Sequence, residues 1–147
     1  MKLENTLIIV ADLGELKAFN VKRHEAIVGK ELTISYSLEV VNDENFIKGK
    51  KKLSEILSDS SGQFVNGTLE DHDLKIEIEN RIMREIAEDI ENIIKNIKPK
   101  QLFLAFPKEH NHELTNELRD ETKAVLVKNI TSNLVKTDKE KILSFFE

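Results

Sequence analysis

The sequence feature that most restricts the fold is a run of regularly spaced isoleucines in the second half of the chain. They recur at steps of three and four residues, the spacing of one helix face; they are Ile78, Ile82, Ile86, Ile90, Ile93, Ile94 and Ile97. Because isoleucine is only a moderate helix former, packing must hold such a helix in place. We therefore predict a helix from Leu74 to a stop at Pro99, capped by Asp71 or Asp73 and packed across a sheet.

The residues before this helix follow the two-residue alternation that is typical of β-strands. An apolar run at residues 6–13 predicts a buried strand, and residues 16–21 predict a second strand that pairs back on it through a turn at Gly14. Three strands joined by short links predict an antiparallel meander. The alternation is clearest over residues 32–40, where the side chains predicted to share one face are Leu32, Ile34, Tyr36, Leu38 and Val40.

The segments around and after these strands carry weaker signals. Residues 23–31 fit either a connection or a strand extension, and residues 41–45 are predicted to turn. Residues 46–57 fit a short helix or an irregular loop, whereas the polar residues 58–73 predict a loop. The long helix is therefore expected to follow an extended connection.

Beyond the long helix, strand and helix patterns alternate. Residues 101–106 predict a strand that is buried on both faces and ends at Pro107. The remaining predicted elements are a helix at residues 108–122, a strand at 124–130 and a C-terminal helix at 137–147 with Thr137 or Asp138 as its cap.

The predicted order of elements is βββαβαβα, in a single domain over residues 1–147. A meander followed by two right-handed crossovers gives a mixed five-stranded sheet with strand order 3-2-1-4-5 and helices on both faces. This α/β arrangement is the ribonuclease H-like topology. The predicted core contains Leu7, Ile8, Ile9, Val10, Phe19, Ile34, Tyr36, Leu38, the isoleucines of the long helix and residues 102–106 and 125–127.

Composition excludes several classes of site. The chain has no cysteine, which rules out disulfides, thiolate metal sites and cysteine nucleophiles. Its net charge of −5 is not that of a protein that coats duplex nucleic acid. No apolar run approaches the roughly 18 residues that span a bilayer, and the apolar run near the N-terminus is too short for a signal peptide. We expect a cytoplasmic protein with no membrane partner.

Three segments resemble the host attachment protein family. The segment LIIVADLGELKAFNV (residues 7–21) resembles the opening strand-turn-strand of that family, and LSDSSGQF (57–64) is similar to its Ser-Asp-rich connection. The carboxyl half, Ile82–Lys95 followed by residues 102–143, resembles the family's pattern. In that pattern an apolar strand ends in proline and precedes a leucine-rich helix, a second strand, a leucine flanked by polar residues and a last helix. The resemblance implies kinship with the middle domain of archaeal and eukaryotic release factors, and through it a translation-related role. The chain departs from the family pattern in its KGKKK segment and in a loop with less glycine and arginine.

The kinship draws attention to Gly62 and Gln63. In release factors a Gly-Gly-Gln tip precedes the long helix, and its glutamine helps to place a water on the peptidyl-tRNA ester. Here Ser61 replaces the first glycine, so the backbone has less freedom to fold sharply. We predict a plain loop, with a degenerate peptidyl-tRNA ester hydrolase as the alternative.

Asp12 ends the first predicted strand, where ribonuclease H-like nucleases carry a Mg²⁺-binding aspartate. Two-metal catalysis needs several converging carboxylates, and the predicted strand at residues 101–106 has no acid. We therefore predict that Asp12 organises the turn at Gly14, with a phosphodiester hydrolase as the alternative. His110 and His112 are two residues apart and would lie on different sides of a helix, so we predict no metal site and no cofactor.

A basic cluster, Lys48, Lys50, Lys51 and Lys52, could contact the phosphates of RNA or a ribosome, or could be a solvated loop. The long helix that follows it is strongly acidic. A basic loop beside an acidic helix could also bring two copies together as a homodimer.

These observations lead to one main hypothesis and two alternatives. We expect a non-enzymatic binding domain of the host attachment family whose partner is a ribosome, an RNA or a protein. The alternatives are a hydrolase that uses Gly62 and Gln63 or Asp12, and a self-associating protein whose role in attachment is indirect.

Overall fold

The computed structural model describes residues 3–45 and 68–147. In chain order, the elements in these two ranges are β1 (Thr6–Ala11), β2 (Glu15–Val28), β3 (Glu31–Asn45), α1 (Thr68–Ile97), β4 (Gln101–Ala105), α2 (Lys108–Glu117), α3 (Asp120–Val125), β5 (Leu126–Ile130) and α4 (Lys139–Ile142), which a 3₁₀ turn at Leu143–Phe146 follows.

The five strands form one mixed sheet in the order β3-β2-β1-β4-β5. The pairs β1–β2 and β2–β3 are antiparallel, whereas β1–β4 and β4–β5 are parallel. The predicted α/β fold and its strand order are therefore confirmed.

The sheet has an apolar core on each face, because β1 and β4 are continuous apolar runs whose alternate side chains point to opposite sides. On one face, α1 covers Leu7, Ile9, Leu102 and Leu104 with its isoleucine stripe. The opposite core is formed by the C-terminal segment with Ile8, Val10, Phe19, Phe103, Ile142 and Phe146. Ile86 and Ile90 are fully buried, so the predicted packing of the long helix is confirmed.

The β2–β3 hairpin is longer than the sequence pattern predicts. β2 continues to Val28, in agreement with the strand-extension reading of residues 23–31, and β3 runs to Asn45. The predicted turn at residues 41–45 is therefore wrong. A two-residue turn, Gly29 and Lys30, joins the strands. Gly29 has φ 68°, and the first central residue of a type II′ turn is usually glycine because it needs a positive φ.

The helix boundaries also differ from the prediction. α1 begins at Thr68, so residues 68–73 are helical rather than loop, and Asp71 and Asp73 are not its N-caps. Acidic residues stabilise the first turns of a helix, but a polar segment lacks the apolar repeat by which a helix is recognised from its sequence. The predicted helix at 108–122 is divided into α2 and α3, because Leu118 and Arg119 have extended backbones.

Two predicted core positions are exposed. Ile34 is 43% exposed, because it lies where the hairpin has passed the end of β1, and Val127 of the outer strand β5 is 56% exposed. Leu38 is buried, and Tyr36 is partly buried against the core. None of the helices within the described ranges combines the length and the hydropathy that a membrane span requires.

Candidate interaction surface

The β2–β3 hairpin extends well past the rest of the sheet. β1 pairs with β2 only over residues 16–20, whereas the pairing of β2 with β3 continues to the turn. Residues 21–28 and 31–38 thus form a two-stranded ribbon, about 26 Å long at the usual rise of about 3.3 Å per residue. We call these residues the ribbon.

One face of the ribbon is apolar near its tip. Ile27 lies opposite Leu32, and Ile34 is two residues further along the same face. Their exposed fractions are 76%, 59% and 43%. Alternation places them on the same side of the sheet as Phe19 and Leu38, which belong to the C-terminal core. The apolar face is therefore an uncovered continuation of that core, as far as residues 3–45 and 68–147 show.

Exposed apolar side chains are concentrated on this hairpin. Six of the ten large apolar side chains exposed in the described part of the chain belong to it: Ile27, Val28, Leu32, Ile34, Val40 and Val41. The opposite face is polar along most of its length, with His24 Nε2 2.6 Å from Ser37 Oγ, and carries the exposed Val28 beside the turn. An amphipathic ribbon without a covering layer is typical of an interaction surface.

The charges on and next to the ribbon balance. Residues 22–39 contain three basic residues and three acidic residues, with His24 counted as neutral. Several of them pair locally. Lys22 Nζ is 3.2 Å from Glu39 Oε2, and Arg23 Nη1 is 2.9 Å from Glu25 Oε1 on the face that also carries Ile34. The surface therefore has no net charge with which to attract a polyanion.

A groove extends the apolar face toward the C-terminus. It has a volume of about 410 Å³ and lies between β3 and the C-terminal helical segment. Tyr36 and Leu38 line it on the strand side, and Lys139, Leu143 and Glu147 line it on the other. Since Tyr36 belongs to both, the groove and the ribbon form one continuous surface.

The carboxylate of Asp12 is bound by groups of the protein itself. Its Oδ1 accepts hydrogen bonds from the backbone N–H groups of Gly14 (2.7 Å) and Glu15 (2.8 Å), and its Oδ2 accepts one from Asn133 Nδ2 (3.0 Å). This is the turn that the sequence predicts, with an additional contact to the segment after β5. A catalytic role for Asp12 stays a prediction.

The other predicted site residues lie outside the described residues. They are Gly62, Gln63, Lys48, Lys50, Lys51 and Lys52. Their proposed roles in ester hydrolysis or phosphate binding therefore stay predictions.

The histidines near the start of α2 have different surroundings. His110 is half-buried, with its Nε2 3.6 Å from Glu79 Oε2 and its Nδ1 3.8 Å from Glu113 Oε2, so it links α1 and α2. His112 is exposed. Within the residues whose structure is described, no group of three or more His, Asp or Glu side chains is arranged to hold a metal ion.

Two polar networks were not predicted. Asn111 is buried, and it exchanges two hydrogen bonds with Asn129, at 2.8 and 2.7 Å. Glu91 of α1 accepts hydrogen bonds from the Arg119 backbone N–H (2.8 Å) and from Thr122 Oγ1 (2.7 Å), which satisfies the start of α3. No sequence pattern indicates either network, because Asn111 and Asn129 are 18 residues apart and Glu91 is 28 and 31 residues from its two partners.

Comparison with known families supports the resemblance noted in the sequence. Residues 7–144 match the family described as "Protein required for attachment to host cells", which is nearly the whole chain. Comparison with curated proteins gave no match. The chain therefore belongs to the host attachment family.

Proposed function

We propose that the chain is a non-catalytic binding domain of the host attachment family and that it contacts a protein partner through the apolar face of the ribbon. The observation that carries this proposal is the cluster of Ile27, Leu32 and Ile34, which are exposed on one face of the charge-balanced ribbon. Family membership supports a function related to host attachment, and the ribbon supplies a surface for it.

The energetics favour coverage of this face. Complete burial of one large aliphatic side chain contributes about 1.5–3 kcal/mol relative to full exposure. Ile27 and Leu32 have most of that free energy still to gain, since they are 76% and 59% exposed. A two-stranded ribbon on its own is also only marginally stable in water. A partner that covers the face would therefore gain contact area and stabilise the ribbon.

A protein partner fits this surface better than a nucleic acid does. The ribbon has no excess of basic residues, and the outward face of α1 carries exposed acids that include Glu77, Glu85 and Glu88. Both features work against phosphate binding. A ribosome- or RNA-associated role is the second candidate, and its support is the KGKKK cluster together with the resemblance to release-factor middle domains.

The test is sedimentation of the protein through a sucrose gradient of its own cell lysate, at low and at moderate salt. We expect the wild type to sediment faster than a single chain at both salt concentrations, because apolar contacts are weakly screened. A Leu32→Ser/Ile34→Ser variant should return to the monomer position. The matched control is Thr33→Ser/Ser35→Thr, which changes the polar face of the same strand and should behave as the wild type does.

The same gradients distinguish the alternatives. If the protein sediments with a ribosomal subunit, leaves it as salt rises and is released by replacement of Lys50, Lys51 and Lys52 with serine, the RNA-associated role is correct and the ribbon is not the binding surface. A wild type that remains at the monomer position at both salt concentrations contradicts the proposed function.

A further inference from the structure

β3 has an outer edge that no strand of the described residues covers, since it is the first strand in the sheet order. An outer strand presents backbone N–H and C=O groups that can pair with another chain, and natural proteins usually block such an edge with charges, prolines or a short strand. β3 is 15 residues long and contains no proline, and its residues 32–38 carry no charge. The edge is therefore well suited to strand pairing.

We infer that this edge pairs with the same edge of a second copy of the chain, antiparallel, about a two-fold axis at Tyr36. This inference rests on the proposed function and concerns the edge of the same ribbon: the second copy pairs at that edge, and the apolar faces of both copies stay open to the partner that covers them. The pairing would join the two five-stranded sheets and bring the apolar faces of both ribbons onto one continuous surface. Two-fold dimers with identical surfaces in contact are also the commonest soluble oligomers.

The regular part of the edge determines where the axis falls. Near the turn, β3 begins at Glu31. At the other end, Val41 is the extra residue where the pairing with β2 shifts register, because Phe19 is opposite Val40 and Ala18 is opposite Asn42. A bulge of this kind bends a strand and ends its regular edge. Tyr36 is the midpoint of residues 31–41.

This register matches apolar side chains with apolar side chains. Residues whose numbers sum to twice 36 lie opposite each other, so Leu32 faces Val40 of the second copy and Ile34 faces Leu38. Leu32, Ile34 and Val40 are 59%, 43% and 50% exposed in the single chain. Directly opposite side chains on one face contribute about 0.2–1 kcal/mol for each favourable pair.

The register also separates like charges. The two acids of the regular edge, Glu31 and Glu39, fall opposite Val41 and Thr33 of the second copy. A slip of two residues toward the turn would place Glu31 opposite Glu39, which is unfavourable. A slip of one residue would place the apolar face of one copy beside the polar face of the other.

A slip of two residues in the other direction would place Leu32 opposite Asn42 and lose an apolar pair. The balanced charge of residues 22–39 adds no net repulsion between two copies. Self-pairing about Tyr36 is therefore the arrangement that the side chains of this edge fit best.

The absence of cysteine from the chain allows a direct test on the purified full-length protein. In the proposed dimer the two Tyr36 Cα atoms are about 4.5–5.5 Å apart, within the range of about 4.4–6.8 Å for a disulfide. Mild oxidation of Tyr36→Cys should therefore give a covalent dimer. Ala26→Cys is the matched control, since Ala26 is exposed on the same ribbon but on β2, away from the proposed contact, and it should remain a monomer under denaturing conditions.

A second pair of variants protects the test against a folding defect at Tyr36. Ser35 and Ser37 are exposed and fall opposite each other across the axis. A mixture of Ser35→Cys and Ser37→Cys proteins should therefore form the mixed disulfide in preference to either symmetric one. Sedimentation equilibrium of the unmodified protein should give twice the monomer mass. The Ile34→Lys variant should give the monomer mass, and its circular dichroism spectrum should match that of the wild type, which shows that the chain is still folded.

Three results would each overturn the inference. The first is a purified wild type that is monomeric at high concentration. The others are a dimeric wild type whose cysteine variants, Tyr36→Cys and the Ser35→Cys and Ser37→Cys mixture, do not cross-link, and a dimer that persists in the Ile34→Lys variant. If the purified protein is a monomer but its lysate complex is lost in the Leu32→Ser/Ile34→Ser variant, the proposed function stands and the partner is a different protein. If neither the lysate nor the purified protein shows association, both proposals fail.

Discussion

Substitution of Asn111 by alanine should destabilise the chain substantially, because this side chain joins the carboxyl ends of β4 and β5 to the first turn of α2. Asn111 is only 4% exposed. Its Nδ2 donates to Asn129 Oδ1 (2.8 Å), the Phe106 carbonyl (3.2 Å) and, more weakly, the Ile130 carbonyl (3.4 Å). Its Oδ1 accepts from Asn129 Nδ2 at 2.7 Å.

The magnitude follows from these contacts. Each neutral hydrogen bond contributes about 1 kcal/mol net, and a buried group left without its partner costs about 1–3 kcal/mol. Asn111→Ala removes two short bonds to Asn129 and the donor to the Phe106 carbonyl. We therefore expect the free energy of unfolding to fall by about 3 kcal/mol, and the midpoint of thermal unfolding to fall by about 6–12 °C, at about 2–4 °C per kcal/mol for a chain of this size.

Urea unfolding followed by circular dichroism measures this change. The matched control is Asn116→Ala, an exposed position on the same helix α2, which should change stability by less than about 0.5 kcal/mol. Asn129→Ala should lie between the two, because Asn129 is exposed and water can replace its amide. If Asn111→Ala falls by less than about 1 kcal/mol, or if Asn129→Ala costs as much as Asn111→Ala, the reasoning is wrong.

Two further predictions concern contacts between distant segments. Glu91→Ala should lower the free energy of unfolding by about 1 kcal/mol, the usual effect of a lost N-cap. The control Glu88→Ala, at an exposed site on the same helix, should have little effect. Equal urea midpoints for the two variants would contradict the capping role. Asp12→Ala should lower the free energy of unfolding by about 1–2 kcal/mol, because the turn amides lose their acceptor. Asp12→Asn should lower it less, because asparagine keeps Oδ1. An Asp12→Ala protein as stable as the wild type would show that the turn does not need the carboxylate.

The sequence predicts the part of the fold whose signals are periodic. The isoleucines of α1 and the apolar runs of β1 and β4 specify one long helix against a sheet, and the order of these patterns leaves few topologies. The strand order is confirmed for this reason. Family membership could also be recognised, since the resembling segments cover both ends of the chain.

The rest depends on contacts that sequence patterns do not encode. The ribbon continues past β1 through the pairing of β2 with β3. The apolar alternation of β3 is the same along the ribbon as beside the core, so the sequence does not show where the covering layers end. The alternation that Ile34 shares with Leu38 predicts a core position for it, but alternation does not show whether another element covers that face, and Ile34 is exposed. The partners of Asn111 and Glu91 are 18 and 28 or more residues away, so only the folded chain reveals them.

The position of β1 in the middle of the sheet also has a consequence for synthesis of the chain. One edge of β1 pairs with β2 almost at once, but the other waits for β4, and Thr6 is opposite Gln101. At about 5–20 residues per second, β4 follows about 5–20 s after β1. During that interval one edge of β1 is unpaired, and its apolar residues Leu7, Ile8, Ile9 and Val10 lack the strand that finally lies beside them. We expect the nascent chain to need a chaperone most at this stage.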